Sequence, residues 1–297
     1  MDRRKFLELA GAAGAMAAGA GLAKAATKAA TSADEAGKKD EEFVAVLVDT
    51  TRCIGCRRCE VACAQVNGLP VPDPAHDGAL EHERKTTLEQ WTVVNRRETD
   101  RGDVFVKTQC MHCEQPACAA ACPTNAMEKT HLGPVIWHPD RCMGCRYCMM
   151  ACPFEIPRFE YDSWNPRIRK CIQCYERLQD GERPACVEAC PQEALMFGKK
   201  SDLLQEARSR IYRHPDDYVH HIYGEHEAGG TGWLYLSAVP FEQLGLPTDV
   251  GTIPYPDTTR EFLYSVPVVF MVVPPLLYGL HELTERKDKV REQEEGA

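Results

Sequence analysis

At 297 residues the chain is long enough for one large domain or two small ones with a buried core, and it needs no cross-links to fold. A formal charge of -9 and a pI near 5.6, with no long basic run interleaved with aromatics, exclude a general nucleic-acid binder. Sixteen cysteines far exceed ordinary usage yet fall below the density of a small disulfide scaffold, so their spacing decides their purpose.

Residues 1–25 begin with Arg3-Arg4 and Lys5-Phe6-Leu7, followed by a mildly apolar Ala/Gly stretch from Leu9 to Ala23. This resembles a twin-arginine export signal, with Asp2 and Glu8 departing from its usual form and Ala23-Lys24-Ala25 resembling a cleavage site. The alternative is an Ala-rich leader with two chance arginines. Export in the folded state lets metal occupy the thiolates before they meet oxidant, whereas cysteines in an exported chain otherwise read as disulfides. Residues 26–42 are polar and charged and read as a linker.

Residues 43–200 hold all the cysteines, in four groups of four. FVAVLVD (Phe43 to Asp49) reads as a strand leading to Cys53, Cys56, Cys59 and Cys63. Cys110, Cys113, Cys118 and Cys122 come second; Ala126-Met127 and Pro134 to Trp137 read as two short strands leading to Cys142, Cys145, Cys148 and Cys152. Cys171, Cys174, Cys186 and Cys190 close the series before a strand at ALMFG, Ala194 to Gly198. The third group has the form C-x2-C-x2-C-x3-C-P. Its first three thiolates wrap one face of a cubane cluster, and the fourth, a helical turn on, serves the second cluster of a pair. The second and fourth groups widen one gap but keep the proline, which ends the ligand loop by donating no hydrogen bond, while the first has Ala64 in its place.

Residues 201–260 form an extension read as a partner-docking region. Its His220, His221 and His226, near Glu225 and Glu227, read as a docking or proton path or, more blandly, as solvated surface. Residues 261–282 include FLYSVPVVFMVVPPLLYGL (Phe262 to Leu280), an uncharged run that as a helix spans the ~30 Å hydrocarbon core despite Pro267, Pro274 and Pro275. The alternative is an apolar segment packed on a partner subunit. Arg286, Lys287, Lys289 and Arg291 in the tail, 283–297, place that tail in the cytoplasm under the positive-inside rule and the cysteine domain outside, the orientation that export also demands.

Zinc sites join two separated C-x2-C pairs and do not call for three cysteines in a row plus C-P; disulfides in such short loops are strained and leave the fourfold regularity unexplained. The expectation is therefore four 4Fe-4S clusters, with no 3Fe-4S centre because no cysteine is replaced. Among the neighbours of the cysteines, Arg57, Arg58, Arg146 and Lys170 are candidates to offset cluster charge, His112 reads as a packing residue or hydrogen-bond donor, and Trp137 and Tyr147 as shields against water. No G-x-G-x-x-G fingerprint or phosphate loop is present, so no nucleotide or flavin site is expected.

From Phe43 to Gly198 the chain resembles the four-cluster iron–sulfur subunits that accompany molybdenum oxidoreductases and some membrane hydrogenases. QCMHCEQPAC, CRYCMMACPF and HIYGEHEAGGTGWLYLSAVPFEQLGLP (His221 to Pro247) are closest to the hydrogenase-2-type iron–sulfur subunit. The resemblance implies an α+β fold of two interleaved two-cluster ferredoxin-like modules with a C-terminal extension and a single C-terminal membrane helix. It implies that Cys53, Cys56, Cys59 and Cys190 share one cluster, and that Cys171, Cys174, Cys186 and Cys63 share its mate. In the other pair, Cys110, Cys113, Cys118 and Cys152 go together, as do Cys142, Cys145, Cys148 and Cys122. The implied role is a non-catalytic electron-transfer subunit on the periplasmic face of the cytoplasmic membrane. It relays electrons between a catalytic subunit, a nickel–iron hydrogenase, and a quinone-reactive integral membrane subunit. The alternatives are the same relay for a molybdopterin oxidoreductase or multihaem cytochrome, and a structural metal-binding scaffold.

Overall fold

The computed structural model describes residues 42–75 and 77–295; the expected export signal and all of the expected linker but Glu42 lie outside the described residues. Strand β1 (Val44–Asp49) is almost continuously apolar, as a strand buried on both faces must be. It lies at the centre of a three-stranded sheet, antiparallel to β8 (Leu195–Lys199) and parallel to β9 (Trp233–Leu236). The alternation of side chains sorts two cores. Ala45 and Leu47, with Leu234 and Leu236, meet Leu203 and Ala207 of a helix that follows β8. Val46 and Val48, with Trp233 and Tyr235, face the cysteines instead.

The elements between β1 and β8 are short. Helix α1 (Arg58–Val66) precedes a hairpin of β2 (Val93–Thr99) and β3 (Gly102–Thr108), closed by a two-residue turn. Helix α2 (Ala117–Ala120), the hairpin β4 (Met127–Lys129) and β5 (Val135–Trp137), and helix α3 (Tyr147–Met150) form the middle of the chain. The pair β6 (Arg158–Phe159) and β7 (Ile168–Arg169) follows, then α4 (Tyr175–Gln179) and α5 (Ala185–Glu188). The four expected strands are present within one or two residues; β5 starts at Val135 because Pro134 has no N–H for the ladder.

Each cysteine group has the same local build. The residue before its second cysteine, namely Gly55, His112, Gly144 or Gln173, has a positive φ, and this left-handed residue curls the C-x2-C loop. The third cysteine sits on a short helix: Cys59 on α1, Cys118 on α2, Cys148 on α3 and Cys186 on α5. Where C-P follows, the helix stops two residues before the fourth cysteine. With Ala64 in place of the proline, α1 runs on through Cys63 to Val66.

The extension is built into the same body through β9 and through α6 (Lys200–Arg213), the helix that covers the outer face of the sheet. Beyond it, α7 (Tyr255–Glu295) is one continuous helix, longer at both ends than the expected apolar span. Helix-forming Glu, Lys and Arg after Leu283 carry it past the apolar edge, and it also contains Pro267, Pro274 and Pro275. By length and composition its stretch Tyr255–Lys287 is sufficient to cross a bilayer, and Phe262, Phe270 and Met271 are at least two-thirds exposed.

Candidate iron–sulfur centres

All sixteen cysteines are free. Cys53, Cys56, Cys59 and Cys190 line one cavity. Cys63, Cys171, Cys174 and Cys186 line a second, and Cys122, Cys142, Cys145 and Cys148 a third. Cys110, Cys113, Cys118 and Cys152 form the remaining set, close enough that each of the other three raises the pKa of Cys118. The fold thus gathers thiols from distant groups, first with fourth and second with third.

The sets follow one another in space. Cys59 of the first faces Cys186 of the second; Cys63 and Cys171 of the second share a core cluster with Cys110 and Cys152; Cys118 packs with Cys122, Cys142 and Cys148. The far end reaches the surface, where Cys145 is exposed beside Met143, Tyr147 and Met150. At the near end Ile54, between two cysteines, is half-exposed. The inner sets are buried except for the partly buried Cys113 and Cys152.

In the three sets that line a cavity the thiols surround a volume and do not converge on a point. Among the described residues no three His, Cys, Asp or Glu side chains come together closely enough for a single metal ion. A zinc site needs its sulfurs about 2.3 Å from one centre. Burial pushes the Cys63 and Cys113 thiols up to about 12 and Cys148 up to about 11. Burial acts on Cys122 in the same sense, but the backbone N–H groups of Met127, Thr124 and Ala126 outweigh it and lower that thiol.

Two further features show what these cavities accept. His112 Nε2, Trp137 Nε1, Gln173 Nε2 and Trp233 Nε1 are buried without a hydrogen-bond partner. Trp233 and Gln173 line the second cavity, Trp137 lines the third, and His112 lies between Cys110 and Cys113. The His112 ring is neutral, since burial and the charges of Lys170, Lys129 and Lys107 lower its pKa, and its Nδ1 accepts the Val135 N–H at 2.9 Å. The proton therefore sits on Nε2. Lys170 is also buried; its Nζ donates to the backbone oxygens of Val135 and Cys171.

Of the basic residues expected to offset cluster charge, Lys170 acts electrostatically on Cys118 and Cys152, and Arg57 borders the first cavity. Arg57 is buried but committed to Glu60 and Asp77, Arg58 is exposed, and exposed Arg146 lies over the rings of Phe159 and Tyr161 while also bordering the third cavity. Trp137 shields a cavity as expected, whereas Tyr147 is 63% exposed and does not. His221 is held by Glu227 at 2.6 Å, and His220 meets a backbone oxygen, so the two form no shared path. Lys107, a buried cation beside two cavities, carries no sequence signal: it lies on β3, where its alternation with Val106 looks like an ordinary half-exposed strand.

A group that fills such a cavity must bond to four sulfurs, accept N–H hydrogen bonds and carry negative charge. An iron–sulfur cluster meets all three requirements, and the chain is accordingly a ferredoxin-type electron-transfer protein. Comparison with known proteins gives the same class: 4Fe-4S dicluster domains match residues 52–126 and 103–200. A protein of Nitratidesulfovibrio vulgaris is 47% identical over 99% of this chain and 80% of its own length. The hydrogenase-2 operon protein HybA of Escherichia coli O157:H7 is 33% identical over 97% of this chain and 96% of its own. The iron–sulfur subunit of the nitrate-inducible formate dehydrogenase of Escherichia coli K12 is 34% identical over 69% and 73%. The chain belongs to the family of iron–sulfur electron-transfer subunits that contains HybA and the formate dehydrogenase iron–sulfur subunits.

Proposed function

We propose that the chain binds four 4Fe-4S clusters and relays electrons between a periplasmic nickel–iron hydrogenase subunit and a quinone-reactive integral membrane subunit. The observation that carries this is the gathering of sixteen free cysteines into four sets arranged in line. When bound, the clusters supply one-electron chemistry. The chain's own residues do the rest. In this reading the sixteen thiolates saturate the iron, so no substrate binds there; Trp91, Trp137 and Trp233 exclude water; orphaned N–H groups and buried lysines set potentials.

Full-length similarity to a hydrogenase-2 operon protein favours the hydrogenase as donor. Residues 1–25 would direct export by the twin-arginine route, residues 201–260 would dock a partner, and 261–282, within α7, would anchor the chain with 283–297 in the cytoplasm. Similarity to formate dehydrogenase subunits supports a second reading, with a molybdopterin enzyme at the outer end. Metal analysis of the complex, gently solubilised without oxygen through a tag on this chain, separates them. Nickel in proportion to the chain, with excess iron, is the expected result; molybdenum or tungsten without nickel would move the assignment to the second reading.

A further inference from the structure

Lys107 is only 2% exposed, yet it lines both the cavity of Cys53, Cys56, Cys59 and Cys190 and that of Cys63, Cys171, Cys174 and Cys186. Its Nζ donates to Thr92 Oγ1 at 2.6 Å and to Gln109 Oε1 at 3.0 Å, and lies 4.4 Å from the centroid of the Trp233 ring.

These neighbours are themselves oriented to receive a cation. Gln109 spends its Nε2 on the Tyr235 hydroxyl at 2.7 Å, which leaves Oε1 turned to Lys107; Tyr235 in turn donates to the Lys107 carbonyl at 2.8 Å. The Thr92 hydroxyl donates to the Thr108 carbonyl, so it offers Nζ a lone pair. The indole contributes the negative face of its ring. Among the described residues no carboxylate pairs with Lys107. A buried ammonium without an opposite charge is costly, and neutral acceptors repay only part of that cost. Thiol-bound iron–sulfur groups on either side would supply the missing charge.

We propose that Lys107 is a shared fixed cation, held between two cluster positions so that each accepts an electron more readily than it would without the charge. No bond forms or breaks and no proton moves; one electron enters or leaves each position, supplied by the neighbouring member of the relay. The inference rests on the proposed cluster assignment and extends it.

The test uses the intact complex with Lys107→Met, Lys107→Gln and Lys107→Arg in this chain, read first by iron content and then by redox titration followed by electron paramagnetic resonance. Iron short of four clusters in the unsubstituted protein refutes the cluster assignment, independently of Lys107. With iron retained, two of the four couples should move in Lys107→Met and Lys107→Gln, each losing at least tenfold in its reduction equilibrium, about 59 mV for one electron. Lys107→Arg should restore both. If both neutral variants lose iron while Lys107→Arg keeps it, the charge is needed to hold the clusters and the proposal stands. Unmoved couples with full iron, a shift in only one, or iron loss in Lys107→Arg as well as in the neutral variants would overturn it.

Discussion

Glu60 accepts the Arg84 guanidinium at 2.6 Å and the Val94 N–H at 2.5 Å through the same oxygen, Oε1. One carboxylate thus ties α1, which carries Cys59 and Cys63, to the inserted hairpin, while its other oxygen accepts Arg57 at 2.8 Å. All three charges are largely buried. Removing Glu60 strips buried Arg84 of its carboxylate and leaves Arg57 only Asp77, so Glu60→Ala should cost about 3 kcal/mol, and Glu60→Gln less because its carbonyl can still take the Val94 N–H. Thermal unfolding of the iron-loaded protein measures this. A change within error in Glu60→Ala would show that the network contributes nothing.

The left-handed residues of the ligand loops differ in what surrounds them. Gly55 has φ +69°, and a Cβ there would lie 2.5 Å from the Phe105 ring on β3. Gly144 has φ +73° but its nearest neighbour, Pro166, would be 3.6 Å away. Gly144→Ala should therefore cost about 1–2 kcal/mol from the backbone alone. Gly55→Ala should cost more and loosen the first ligand loop. Parallel melting curves and iron content check the order; equal losses would mean that Phe105 moves aside freely.

Much of the site is readable in the sequence because iron–sulfur loops are local objects. The C-x2-C spacing, the C-P stop and β1's apolar run specify their own structure within a few residues. Pairing between groups is not local: joining Cys63 to Cys171, or Cys190 to Cys53, depends on chain closure by β1 and β8, and only family resemblance anticipated it. The hairpin β2–β3 was not foreseen either, since its turn at Asp100-Arg101 lacks the Asn-Gly or Asp-Gly signature and its polar side chains blur the alternation. Lys107 and Glu60 were missed with it, because their meaning lies in partners far along the chain.

Thiol ionisation sets a pH dependence for cluster assembly. Cys63 and Cys113, pushed up to about 12, and Cys148, up to about 11, are protonated at neutral pH before iron arrives, whereas iron binds the thiolate. Each must then release a proton on binding, so lower pH opposes loading and higher pH favours it. Anaerobic reconstitution of the iron-free protein at pH 6.5 and 8.5 should give the tighter loading at 8.5, with protons released to an indicator dye. Loading independent of pH would mean that these thiols are already ionised.

Cys145, at the exposed end of the line of sites, and Cys171, in its buried middle, predict different lesions. Cys145 is exposed, on a loop whose neighbours Met143, Tyr147 and Met150 also face outward. Little else depends on it, so Cys145→Ser should empty one site and leave about twelve irons where four filled sites give about sixteen. Cys171 is buried in a core cluster with Cys63, Cys110 and Cys152, members of two different sets. Losing its cluster removes packing around a second site, so Cys171→Ser should lose more than one cluster and lower the melting temperature as well. Both variants should stop electron flow to quinone, one by cutting the end of the relay and the other by cutting its middle. Iron content, melting temperature and quinone reduction, measured on the same preparations, distinguish the two. Flow that persists in Cys145→Ser would mean that the exposed site is a side branch and that electrons leave the line elsewhere.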